Sequence, residues 1–123
     1  MYLTRPVHYL TDTDVDAQGK LINPAIPKGM PVIVMIQANF CGHCNVAKPA
    51  FQELADKYDG KIFAATIQGD GKEPGEKELA ARIKTMKPSF RGFPDYVLFI
   101  DDAPVNKDVK GRSLKDLEEF VGV

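Results

Sequence analysis

Two thiols three positions apart can do redox chemistry, and this chain has only two: Cys41 and Cys44, separated by Gly42 and His43. Upstream, Pro31 to Ile36 is a β-branched apolar run and reads as a buried strand. Downstream, Val46, Ala47, Ala50, Phe51, Leu54, Ala55 and Tyr58 recur at helical spacing, so a helix opens at the motif. A thiol in that first turn sees unpaired N–H groups and the positive end of the helix dipole. That field favours the thiolate, which is the nucleophile. Cys44 falls on the same face, roughly 5–6 Å away. Cys41 can then attack an external disulfide and Cys44 can displace it. His43, at a helix start, can carry positive charge and stabilise a nearby thiolate; the plainer alternative is an exposed polar residue with little effect.

Other readings of the pair are open at this point. It could be half of a zinc site, but zinc wants four protein ligands, or three and an open position. The remaining soft ligands are His43, inside the motif, and His8, far away in sequence. Two inert buried cysteines fit a strand–motif–helix context poorly. An iron–sulfur or metal-binding dimer would use Cys41 and Cys44 from two chains.

Around the motif, Phe40-Cys41-Gly42-His43-Cys44 resembles the active site of the thioredoxin superfamily, in the form carried by protein disulfide isomerase domains. Pro49, five residues after Cys44, is similar to the family's proline within the active-site helix. Arg91-Gly92-Phe93-Pro94, followed by Tyr96–Ile100, resembles the segment whose cis-proline faces the cysteines. Gly111-Arg112 resembles the glycine–arginine pair of isomerase domains. The match runs from about Lys28 to the C-terminus, with its pieces in the family's order.

The resemblance implies a thiol–disulfide oxidoreductase with Cys41 as nucleophile and Cys44 resolving. It implies substrate docking at Phe40, Phe93 and Pro94, with a cis Phe93–Pro94 bond. There the backbone before the proline would bind an extended substrate segment as an added strand. Arg112 would approach the site and lower the second cysteine's pKa; it could equally be a surface charge or contact the last helix. Partners would be disulfide-containing or dithiol proteins and a recycling reductase or oxidant. No cofactor is expected beyond the Cys41–Cys44 disulfide itself.

Two departures stand out. Six residues before the first cysteine, where relatives carry a buried Asp or Glu that relays the proton of the second cysteine, this chain has Met35. Gln37 replaces an aromatic, and there is no Trp, which commonly stands where Phe40 does. The missing carboxylate puts efficient turnover in question and is the best support for a non-catalytic binding module. The Gly-Gly of the glutaredoxin glutathione site is also missing.

The whole chain has 123 residues, enough for one domain (1–123) with a real core. Hydrophobic residues are 44% and charged residues 27%, as in soluble globular proteins. A net charge of −1 leaves no broad footprint for nucleic acid or an anionic membrane. No apolar run approaches membrane-spanning length, and Met1–Asp16 has no signal-peptide core. The expected location is the cytoplasm, where a cysteine pair is catalytic more often than structural.

The elements that must position the motif follow in order. Val7–Leu10 is a short strand, and Thr11–Gly29 reads as loops with room for one helical turn. Asp12, Asp14 and Asp16 alternate like the start of a calcium loop, but Ala17 and Asn23 stand where Gly and Glu are needed, so they read as turn acids. The motif helix bends at Pro49, continues to Tyr58 and ends at Asp59-Gly60. Lys61–Ile67 is a strand and Gln68–Gly75 a loop. In that loop Gly69-Asp70-Gly71-Lys72 lacks the spacing and the Ser/Thr of a phosphate loop. Glu76–Met86 reads as one amphipathic helix with Leu79, Ile83 and Met86 inward. Lys87–Pro94 is a loop, Tyr96–Ile100 a strand, Asp101–Pro104 a turn and Val105–Lys110 a weaker hairpin partner. Ser113 begins the last helix, with Asp116 as a relative of the capping box and Leu114, Leu117, Phe120 and Val121 inward. This order implies an α/β domain: a mixed central sheet with helices on both faces, which is the thioredoxin fold's order.

Overall fold

A computed structural model describes residues 2–123. Five strands form one mixed sheet in the order β1-β3-β2-β4-β5. They are β1 (His8–Tyr9), β2 (Val32–Gln37), β3 (Phe63–Gln68), β4 (Asp95–Ile100) and β5 (Ala103–Val105). β1, β3 and β2 run parallel; β4 and β5 are antiparallel to their neighbours. The central strand β2 is buried at all six positions, as its unbroken apolar run requires. Helix α1 (Gly42–Lys57) carries the chain from β2 across to the parallel β3.

Successive β2 side chains feed two cores, one on each sheet face. Ile33 and Met35 join Phe51, Leu54, Tyr96 and Leu98 beneath α1 and α4 (Leu114–Val121). Val32, Val34 and Ile36 join Leu79, Ile83, Met86 and Phe99 beneath α2 (Glu76–Ala80) and α3 (Ile83–Met86). α4 opens with a full capping box: Ser113 Oγ accepts from Asp116 N at 3.1 Å, and the Asp116 carboxylate accepts from Ser113 N. Lys57 on α1 pairs with Glu118 on α4 at 2.8 Å.

Two elements and one burial assignment of the sequence reading are corrected. The Glu76–Met86 helix is two helices, broken at Ala81–Arg82. Arg82 turns its guanidinium onto the carbonyls of Asp12, Val15 and Asp16, and its own carbonyl accepts from Thr85 Oγ1. These bonds anchor the 12–16 loop and replace helical ones, while Leu79, Ile83 and Met86 stay buried. The hairpin partner of β4 is Ala103–Val105, not Val105–Lys110. Asp101 and Asp102 both take positive φ, so they make a tight two-residue turn that sets Ala103 opposite Ile100. Along α1, Val46 is 82% exposed, and the buried slot assigned to that part of the stripe belongs to Lys48.

The N-terminal reading agrees more closely. β1 is a two-residue strand, and a single 3₁₀ turn spans Asp12–Asp14. Asp14 accepts from Thr11 N and Asn23 Nδ2, and Asp16 from Gln18 N and Lys20 N, so both carboxylates serve local turns. The Phe93–Pro94 bond is cis, as is Arg5–Pro6, which the sequence reading did not single out.

Candidate active site

Cys41 is the N-cap of α1, and its Sγ accepts from Cys44 N at 3.2 Å. A side-chain acceptor normally fills this role for the open amides of a first turn, and here it is a thiol. The Cys41 thiol also lies 3.8 Å from the carbonyl oxygen of Phe93, the residue before cis Pro94. Two segments 52 positions apart in sequence therefore meet at one sulfur. Cys41 is partly exposed and Cys44 fully buried. Both are free thiols.

Phe40 is 73% exposed, and its ring meets the Phe93 ring edge-on at 6.0 Å. Phe93 packs on Phe90 in turn, at 5.6 Å. Gly69 makes room for this: a Cβ there would stand 2.5 Å from the Phe93 ring. The exposed aromatic edge thus rests on a glycine of the loop after β3. The resemblance had implied Phe40, Phe93 and Pro94 as one docking surface, and they are neighbours.

The loop that presents the motif is held by Asp70. Its carboxylate accepts from Asn39 N at 3.0 Å and from Phe40 N at 3.2 Å. Burial acts to raise the Asp70 carboxyl, but these amides and the Gln68 side chain outweigh it and hold it below its ordinary value. Asn39 is also bonded through its carbonyl, to Asn45 Nδ2 at 3.0 Å, and through its side chain, to Lys48 Nζ at 2.8 Å. The phosphate-loop look of Gly69-Asp70-Gly71-Lys72 has a different explanation: Asp70 is a backbone clamp.

Burial raises the Cys44 thiol to about 11, with the hydrogen bond and charge of Cys41 adding to the rise; the Ala38 backbone and Lys48 oppose it. Met35 is fully buried and no carboxylate lies beside it in the sheet: its ladder neighbours are Thr66 and Tyr96. Thr66 Oγ1 donates to Met35 O at 2.8 Å and accepts from Gln37 Nε2 at 3.2 Å. The Tyr96 hydroxyl is buried and bonded to no other group among the described residues. Burial pushes it up to about 12, with the Arg112 charge pulling the other way.

Arg112 is exposed. Its charge is felt at the buried Tyr96 hydroxyl, on which Cys44 also acts. His43 and Gly42 are exposed at the helix start. His8 lies on β1 against the Phe63 ring, 6.0 Å between centroids. Among the described residues no group of three or more His, Cys, Asp and Glu side chains is arranged to hold a metal.

Sequence reasoning missed Asp70, Asn39 and Lys48. Only Lys48 left a signal, as a charged residue one helical turn beyond Cys44 on the buried stripe between Cys44 and Phe51.

A mixed five-stranded sheet with a thiol-capped helix after its central strand is the thioredoxin fold. Residues 18–122 match the thioredoxin family model, and the chain belongs to the thioredoxin family. An Invertebrate iridescent virus 6 protein named as thioredoxin-like, 453L, is 40% identical over 132 aligned positions, covering 98% of this chain and 95% of its own. The thioredoxin Asp f 28 of Aspergillus fumigatus is 32% identical, covering 85% of this chain and 94% of that one. The X-ray structure of Fasciola hepatica thioredoxin superimposes with a TM-score of 0.60 at 23% identity, over 77% of this chain and 81% of that one, which speaks to the fold alone. At the level of the family, the activity is thiol–disulfide exchange.

Proposed function

We propose that this chain exchanges disulfides with protein substrates, Cys41 attacking and Cys44 resolving. In the reducing direction the Cys41 thiolate attacks one sulfur of a substrate disulfide. The substrate S–S bond breaks, a Cys41–substrate bond forms, and one substrate sulfur leaves as thiolate. The Cys44 thiolate then attacks Cys41 Sγ, the Cys41–Cys44 bond forms, and the second substrate sulfur leaves. The substrate gains the electron pair that the cysteines lose, and a partner reductase restores the dithiol. Phe40 and Phe93 offer an apolar edge to the substrate chain beside Cys41, and the backbone at Phe93 and Pro94 offers strand-like bonding.

The observation that carries this reading is the position of Cys41 Sγ, capped by Cys44 N and 3.8 Å from Phe93 O. An imidazole in the Cys-x-x-Cys loop supports a potential between the thioredoxin value of about −270 mV and the disulfide isomerase value of about −180 mV. We place its action in a reducing compartment such as the cytoplasm, with no cofactor but its own cysteines.

Insulin reduction with dithiothreitol tests the proposal. The unmodified chain should accelerate it, Cys41→Ser should abolish the acceleration, and Cys44→Ser should accumulate mixed disulfides through Cys41. The rival reading, a binding module with no turnover, draws on Met35 in place of a carboxylate; it requires no acceleration by the unmodified chain.

A further inference from the structure

A fully buried lysine beside a buried thiol needs an explanation, because an ammonium loses its hydration there. Lys48 is 0% exposed and lies one turn along α1 from Cys44. Its Nζ is fixed by Asn39 Oδ1 at 2.8 Å, and Asn39 is fixed by Asp70 and Asn45. The charges that favour its protonated form are, in order, Cys44, Asp70 and Cys41. The ammonium is thus held at Asn39, one helical turn from a thiol as fully buried as itself, and the Cys44 charge is the largest that acts on it. We propose that Lys48 is a positioning residue whose buried ammonium is the counter-charge of the Cys44 thiolate in the resolving step. This rests on the exchange reaction proposed above.

The balance of influences on Cys44 changes during that reaction. In the dithiol, burial and both contributions of Cys41 raise the thiol, while Ala38 and Lys48 lower it. Once Cys41 is joined to a substrate sulfur, it has neither a thiolate charge nor a thiol to share. Of the influences just named, burial, the Ala38 backbone and Lys48 remain. Lys48 is therefore a charged side chain that favours Cys44 ionisation when ionisation is needed. Burial pulls Lys48 below its ordinary value, and the Cys44 charge opposes that pull in part. The Cys44 proton passes to solvent, the thiolate attacks Cys41 Sγ, and the substrate sulfur leaves with the electron pair of the broken bond.

Other groups that could set the pH dependence are few. Cys44 faces Cys41 and Lys48 from its own helix and Tyr96 from β4; Asp70 faces Lys48, and Arg112 faces Tyr96. β2 contributes Met35 and Gln37, neither of which carries charge. His43 is exposed in the motif itself. Relatives with a buried carboxylate place a proton acceptor under the second cysteine; here a cation beside it stabilises the product of the same deprotonation.

The test is stopped-flow reaction of the reduced protein with excess 5,5′-dithiobis(2-nitrobenzoate). The first coloured thiolate reports mixed-disulfide formation at Cys41, and the second reports attack by Cys44. In Lys48→Met and Lys48→Gln the second phase should slow about tenfold near neutral pH, with its midpoint about one unit higher, since one unit is one decade of thiolate. The rates should converge at alkaline pH, and Lys48→Arg should restore most of the loss. Lys48→Gln keeps a donor for Asn39, so it carries the test if Lys48→Met fails to fold. An unchanged profile in the charge-removing variants, or equal slowing at every pH, overturns the proposal. Thiolate absorbance of Cys41→Ser, with and without Lys48→Gln, reads the same shift without turnover. A shifted Cys44 there alongside an absent first phase in the unmodified chain would refute the exchange reaction while leaving the Lys48–Cys44 coupling intact; an unshifted Cys44 refutes the coupling.

Discussion

Lys48 and Lys87 are both buried lysines, one on α1 beside the motif and one at the start of the 87–94 loop, and their surroundings differ. The Lys87 ammonium is 2.7 Å from Asp95, 2.9 Å from Asp108 and 2.9 Å from the Tyr96 carbonyl. Two carboxylates and a carbonyl consume its charge where the 87–94 loop returns to β4. The Lys48 ammonium bonds the Asn39 amide oxygen, and the charges that act on it are Cys44 first, then Asp70, then Cys41. A buried charge matched by carboxylates fixes a loop; one directed at an ionisable sulfur changes that sulfur's chemistry.

The same substitution at the two sites should separate these roles. Lys87→Met leaves Asp95 and the Tyr96 carbonyl without their partner, and should cost about 2–4 kcal/mol in urea unfolding, at the scale of a broken buried pair. Its effect on the rate at which Cys44 resolves a mixed disulfide should be small. Lys48→Met should show the reverse, a smaller loss of stability than Lys87→Met with the altered thiol profile described above. Equal stability losses at both sites would erase the comparison.

How much of this was legible in the sequence depends on what each residue answers to. The strands around Val34, Ala65 and Val97, the motif helix and the Ser113 cap answer to local pattern, and they stand close to where periodicity puts them. The break at Ala81–Arg82 answers to carbonyls at positions 12, 15 and 16, over sixty residues away, so no local pattern reports it. The short β5 answers to two aspartates with positive φ, a conformation that Asp tolerates but does not announce. At the site, Cys41, Cys44, Phe93 and Pro94 were legible through motif and resemblance. Asp70 and Asn39 were not, because their role is to bond backbone and side chain across loops that meet only in the fold.

Asp70 sharpens the comparison from the loop side. It clamps the Asn39 and Phe40 amides and so holds the residue on which Lys48 rests. Its carboxyl lies below the ordinary 3.8, so its stabilisation is complete above that value and is lost as pH falls through the lower folded value. Asp70→Asn should therefore cost about 1–2 kcal/mol near neutral pH, the scale of hydrogen bonds to a charged acceptor. The difference from the unmodified chain should shrink below about pH 4 as the native carboxylate protonates. Denaturant unfolding across pH measures it; a constant offset at every pH would mean that the clamp's charge contributes nothing.

The account as a whole depends on the inequality of the two thiols. Cys41 caps the helix at the surface beside Phe93, and Cys44 lies buried behind it with its thiol raised to about 11. Partial alkylation of the reduced protein at neutral pH, resolved by mass spectrometry of its peptides, reads this inequality directly. The account predicts label on Cys41 well before Cys44. Equal labelling of the two, or label first on Cys44, would contradict it.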